Sequence, residues 1–209
     1  SKPMQIVFYF VNFAWFFLIS AFTSMEVQAR VGEERSKLEI RLFRSGGLQI
    51  KEDKLVKQKQ KGVSYLKFEP YFPSSTEIRL YYKTLDGRRP KPSELENRVP
   101  EGWILHVIYY KGISVLEVYQ KNGKIDEFEK NHLLDFQRSN SFWVEASKEV
   151  SIQTASCFQH DFIRNDQTTK AKILGNSSMI FFSSDFDLAL ARAQEEEQRK
   201  SAPDSIKGF

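Results

Sequence analysis

At 209 residues, 41% apolar and 14% aromatic, the chain is long and apolar enough for one domain with a genuine core, which excludes disorder throughout. A formal charge of +4 permits contact with acidic surfaces, but no single element concentrates the basic residues, so nothing argues for nucleic acid as a partner. Cys157 is the single cysteine; no internal disulfide can form, and the fold must rest on its core.

From Ile6 to Phe22 the run IVFYFVNFAWFFLISAF carries no charged residue, and Asn12 and Ser20 are its distinctly polar members. Val27-Gln28-Ala29 follows, with small or modest residues where a signal peptidase prefers them. The pattern predicts a secretory signal at residues 1–29, cleaved after Ala29. Seventeen residues is also just enough to cross a bilayer core, so a retained membrane anchor competes with it, and a buried helix of a soluble protein is the third alternative. Signal and anchor both place the remaining chain outside the cytoplasm, in the periplasm, secreted or tethered. Membrane contact is then expected only through this segment if it stays uncleaved.

Arg30 to Ser36 is a charged lead-in, and Lys37 to Phe43 alternates apolar and polar residues in the manner of a half-buried strand. After a turn at Ser45-Gly46-Gly47, Leu48 to Ile50 forms a short partner strand. Lys51, Lys54, Lys57, Lys59 and Lys61 then make a basic run, a candidate contact for an anionic surface or polymer set against the plainer reading of a solvated loop. Val63 to Phe68 and Thr76 to Lys83 read as strands, separated by Pro70 and Pro73. A turn at Asp86-Gly87 leads into a proline-bearing loop with one helical turn at Ser93 to Asn97. Arg88, Arg89 and Lys91 form a second small basic cluster there.

The clearest stretch runs from Trp103 to Trp143. Trp103 to Tyr110 and Ile113 to Tyr119 are apolar on both faces and joined by Lys111-Gly112, which predicts a hairpin at the centre of a sheet covered on each side. Strict alternation puts Ser114, Leu116 and Val118 opposite Ile113, Val115, Glu117 and Tyr119. Asn122-Gly123 is the strongest turn signal, and Asp126 with Glu129 fits a capping box for a helix over about 126–137. Ile125, Phe128, Leu133, Leu134 and Phe136 supply its apolar side, and Phe142 and Trp143 are expected to re-enter the core.

Beyond it, Val144 to Ala155 reads as extended, most clearly from Glu149 to Thr154. Cys157 to Arg164, Thr169 to Leu174 and Met179 to Ser183 continue an antiparallel meander. Asp185 is the expected N-cap of a C-terminal helix over about 186–200, and 201–209 is a tail. The class is α+β with a largely antiparallel sheet in one domain over 30–200, preceded by the hydrophobic N-terminal helix; one sheet or two is left open.

Chemistry-bearing residues are few. Cys157, His160 and Asp161 fall within five residues, but on a strand Cys157 and His160 point to opposite faces, which separates thiol from imidazole. His106 lies in a central strand, where a hydrogen-bonded interior role is the default. Two ligands at the Cys157–His160 spacing fall short of a zinc site, and no phosphate loop, nucleophile elbow or metalloprotease motif occurs, so neither metal nor cofactor is expected. His160, Asp161, Cys157 and His106 remain the candidates if the protein is a hydrolase whose site assembles from distant segments.

The residues Ser114-Val115-Leu116-Glu117-Val118-Tyr119, Asn122-Gly123, Phe128-Glu129, Asn131, Leu133-Leu134 and Ser141-Phe142-Trp143, with the terminal Gly208-Phe209, resemble a pattern of exported bacterial proteins of unknown function. The resemblance covers about a third of the chain. It implies export from a bacterial cell and brings no activity or site residues. The expectation is an exported or envelope-associated protein acting by contact with an envelope protein or polymer, with the hydrolase as alternative.

Overall fold

The structure, a computed structural model, describes residues 31–50, 63–97, 101–146, 155–201 and 203. The elements are α1 (Arg35–Arg44), β1 (Leu48–Gln49), a 3-10 helix (Leu66–Tyr71), β2 (Thr76–Thr84), α2 (Pro92–Asn97), β3 (Gly102–Tyr110) and β4 (Ile113–Lys121). There follow α3 (Glu127–Gln137), β5 (Trp143–Glu145), β6 (Phe162–Arg164), β7 (Thr169–Leu174), β8 (Ser178–Ser183) and α4 (Ser184–Lys200). The hydrophobic run 6–22, the basic run 51–61 and the stretch 149–154 lie outside the described residues. Among those described, no helix is long and apolar enough to cross a membrane.

One eight-stranded antiparallel sheet holds the molecule together, in the order β1-β2-β3-β4-β8-β7-β6-β5. It consists of two meanders, β1–β4 and β5–β8, joined where β4 pairs with β8 through Leu116–Phe182 and Val118–Ile180. Each meander is preceded by a helix, and both helices lie on the same face. Leu38 and Leu42 of α1 and Leu133 and Leu134 of α3 pack over Tyr81, Leu105, Val107 and Phe181. The opposite face carries Ile108, Leu116, Val118, Ile180 and Phe182, covered by Phe68 of the 3-10 helix and by Phe186 and Leu190 of α4. The β3–β4 hairpin is thus buried on both sides, as its two apolar faces require.

Three local expectations are corrected. Residues 37–43 are helical, not extended: Leu38 and Leu42, four apart, are buried, while Ile40, which alternation placed beside them, is 52% exposed. Residues 63–68 form a turn entering the 3-10 helix instead of a strand, with Tyr65 and Phe68 buried three residues apart. The N-cap of α4 is Ser183, whose hydroxyl accepts from the Phe186 N–H at 3.4 Å, two residues before the expected Asp185.

The hairpin also departs from strict alternation. Ile108 pairs with Leu116 but Tyr109 pairs with Ser114, so Val115 is an extra residue on β4. This bulge moves Ser114 to the side of Glu117 and Val115 toward the α4 face. Ser114 Oγ, Tyr119 OH and Gln137 Nε2 then donate to the fully buried Glu117 carboxylate at 2.8, 2.6 and 2.9 Å. Gln137 in turn accepts from the Val31 N–H at 3.1 Å, which ties the start of the described chain to α3. The α3 capping box is present as expected, with Glu129 N to Asp126 Oδ1 at 2.8 Å and the reciprocal bond at 3.0 Å. Trp143 re-enters the core and donates its indole N–H to the Leu134 carbonyl at 2.7 Å, whereas Phe128 and Phe142 stay 79% and 58% exposed.

Candidate functional site

The sheet distributes the expected chemistry among separate environments. His106 faces α4's side of β3 and is fully buried; its Nδ1 lies 2.8 Å from Tyr65 OH and its Nε2 2.9 Å from Gln120 Oε1. Burial pushes its pKa down to about 4, so the ring is neutral at physiological pH. Residues 157–161 are not a strand. Gln159 takes a left-handed φ of +57°, and the Cys157 and Phe158 N–H groups donate to Asp187 Oδ1 at 2.8 and 3.4 Å. The Cys157 thiol faces Gln194 Oε1 at 4.0 Å and is pushed up to about 11 by burial and by Asp187, which keeps it from being a thiolate nucleophile. Asp161 accepts the Ile173 N–H at 2.8 Å and so anchors β7. No hydrogen bond joins any two of Cys157, His160, Asp161 and His106.

The basic cluster is partly spent on its own neighbours. Arg88 makes a two-pronged contact with Glu94, at 2.9 Å for each prong, and pairs with Asp86 at 3.4 Å. Arg89 and Lys91 are exposed.

Of the nominated residues, His160 lines a concavity. It lines a cleft of about 500 Å³ formed by β5, β6, β7 and the first turn of α4. Lys170 and Ser184 stand in the same wall, Ile163 and Leu188 give it apolar surface, and Glu145 and Asp185 are exposed on it. Lys170 is 5% exposed because its ammonium pairs with the fully buried Asp187 at 3.1 Å. Asp187 also accepts from Ser156 Oγ at 2.6 Å and from two backbone N–H groups, a degree of satisfaction that a buried carboxylate needs. His160 Nδ1 and Ser184 Oγ are shut from solvent and have no hydrogen-bond partner among the described residues. Burial and the nearby Lys170 hold the His160 pKa below its ordinary value.

This cleft matches the usual anatomy of a small-molecule site, an apolar pocket of several hundred Å³ with a few polar groups in its wall. No base is hydrogen-bonded to Ser184 Oγ among the described residues. Among the described residues no group of three metal-ligating side chains comes together. A second groove, of about 390 Å³, runs between α1 and α3 over Trp103 and Tyr119, with the exposed Phe128 stacked on His132 at its rim.

Lys170, Ser184 and Asp187 were not singled out from sequence. Lys170 occupies a polar slot in the alternating run Thr169–Leu174, and Asp187 resembles an ordinary first-turn helix acid. Only their meeting across β7 and α4 distinguishes them.

Comparison with known protein families, with curated proteins and with solved structures finds no match.

Proposed function

We propose that this is an exported, envelope-associated protein that works by binding an envelope protein or polymer and not by catalysis. One observation carries the reading: three of the four candidate catalytic groups, all but His160, are engaged separately from one another. His106 is engaged at both ring nitrogens, Asp161 holds a backbone amide, and Cys157 is kept protonated. A nucleophile needs its base within about 2.6–3.2 Å, and the bonds these groups make tie them elsewhere. The cleft at His160 suits the same reading, because a largely apolar wall with a few polar side chains can orient a ligand without transforming it. Support for export comes from the uncharged run 6–22 and the Val27-Gln28-Ala29 site behind it.

Fractionation of the producing cell with N-terminal sequencing tests the export half: the expected mature start is Arg30, in a soluble extracytoplasmic fraction, and an intact chain in the cytoplasm would refute it. Incubation with ester, amide, glycoside and phosphate ester substrates tests the other half. No turnover is expected; turnover abolished by His160→Ala would replace the reading with the hydrolase. Binding to an envelope extract that falls steeply between low and physiological salt would instead assign the contact to the basic residues.

A further inference from the structure

We propose that the His160 cleft binds a small zwitterion, an α-ammonium carboxylate with an apolar body such as a free amino acid or a short peptide. The inference rests on the reading of this protein as a binder and adds the class of ligand.

The cleft offers opposite charges at different depths. Its inner wall is short of hydrogen-bond acceptors. The Lys170 ammonium has three N–H donors, and Asp187 is its one hydrogen-bond partner among the described residues. Each Asp187 oxygen already accepts two donors, Oδ1 from the Cys157 and Phe158 amides and Oδ2 from Ser156 Oγ and Lys170, so it has little capacity left for the other two N–H groups of the ammonium. Ser184 opens α4, where the amide dipoles favour a negative group beside it. A carboxylate set against Lys170 and Ser184 meets both demands. Ser184 Oγ and His160 Nδ1, both in residues that line the cleft, make no hydrogen bond among the described residues, so pairing either with a ligand breaks none.

The remaining lining decides what else the ligand carries. Glu145 and Asp185 line the same cleft and are exposed, so a plain carboxylic acid meets two like charges there. An ammonium on the same molecule turns that repulsion into attraction. Ile163 and Leu188 call for an apolar body, and about 500 Å³ leaves room for more than one residue.

Titration calorimetry on the full chain with L-leucine, L-leucyl-L-leucine, hexanoate and hexylamine tests this. Leucine or the dipeptide is expected to bind, and each singly charged analogue at least tenfold more weakly than the better zwitterion. Ser184→Ala and His160→Phe remove Oγ and Nδ1, which make no hydrogen bond among the described residues. Their melting temperatures should stay at the wild-type value while affinity for the better zwitterion falls about fivefold or more. The order of leucine and dipeptide distinguishes the two sources of the same chemistry. Hexanoate binding as tightly as leucine would overturn the zwitterion; unchanged affinity in both variants would move the ligand elsewhere; no heat and no retention in equilibrium dialysis with any probe would remove the site. Loss of the site leaves the proposed function standing, whereas cleavage of leucyl-leucine in the cell would leave the site and remove the non-catalytic reading.

Discussion

His106 illustrates how a polar residue becomes a structural one. The β3 register places it on a face packed under Tyr65, where both nitrogens find partners and the charged form is disfavoured. Its folded pKa of about 4 lies below the ordinary 6.5, so the unfolded chain binds a proton that the folded chain refuses. Stability from this group is complete above about pH 6.5 and is lost as pH falls toward 4, a change on the order of 3 kcal/mol. Urea unfolding of wild type and His106→Phe at pH 7.5, 5.5 and 4.5 measures it. The variant is expected to be weaker at pH 7.5, because Tyr65 OH loses its partner, yet to lose less stability on acidification. Equal slopes for the two proteins would show that another group, such as His160 with its pKa lowered in the same direction, governs the window.

Among the elements, those with redundant signals were legible in the sequence. The β3–β4 hairpin announced itself through two β-branched and aromatic runs about one glycine-bearing turn, and α3 through both halves of its capping box. Residues 37–43 were misread because Leu38, Ile40 and Leu42 satisfy period two as well as the Leu38–Leu42 pair satisfies a helix. The surrounding Lys, Glu and Arg residues favour a helix, and β4 is flanked by β3 and β8, so no strand from this segment fits beside it. The bulge at Val115 was invisible because it depends on the strand opposite, and with it the Ser114–Glu117–Gln137 network. The cleft was legible only at His160, since the Lys170–Asp187 pair joins positions seventeen residues apart. Substitution separates the two readings of α1. Leu38→Ala should cost about 2–5 kcal/mol and Ile40→Ala within about 0.5 kcal/mol, measured by chemical unfolding. Comparable losses at both positions would restore the strand.

At the scale of the whole molecule, the order β1-β2-β3-β4-β8-β7-β6-β5 makes one sheet from two similar halves, each a helix followed by a four-stranded meander. The seam between them is the best-protected part. β4 and β8 pair through five residues, and Leu116, Val118, Ile180 and Phe182 are buried between the sheet and α4 while Phe181 is buried on the other face. Because the cores on both faces cross this seam, the halves cannot open independently without exposing it. Unfolding should therefore be a single transition by fluorescence and by circular dichroism, and Ile180→Ala should shift both signals together by about 2–5 kcal/mol. Hydrogen exchange should follow the same geometry. The amides of Val118 and Ile180 are expected to exchange last, by global unfolding. Those of β5 and β6, short strands at the sheet edge beside the cleft, should exchange by local opening at lower free energy. Two separated transitions, or protection as high at Val144 as at Ile180, would mean that the halves are held by something other than the β4–β8 seam.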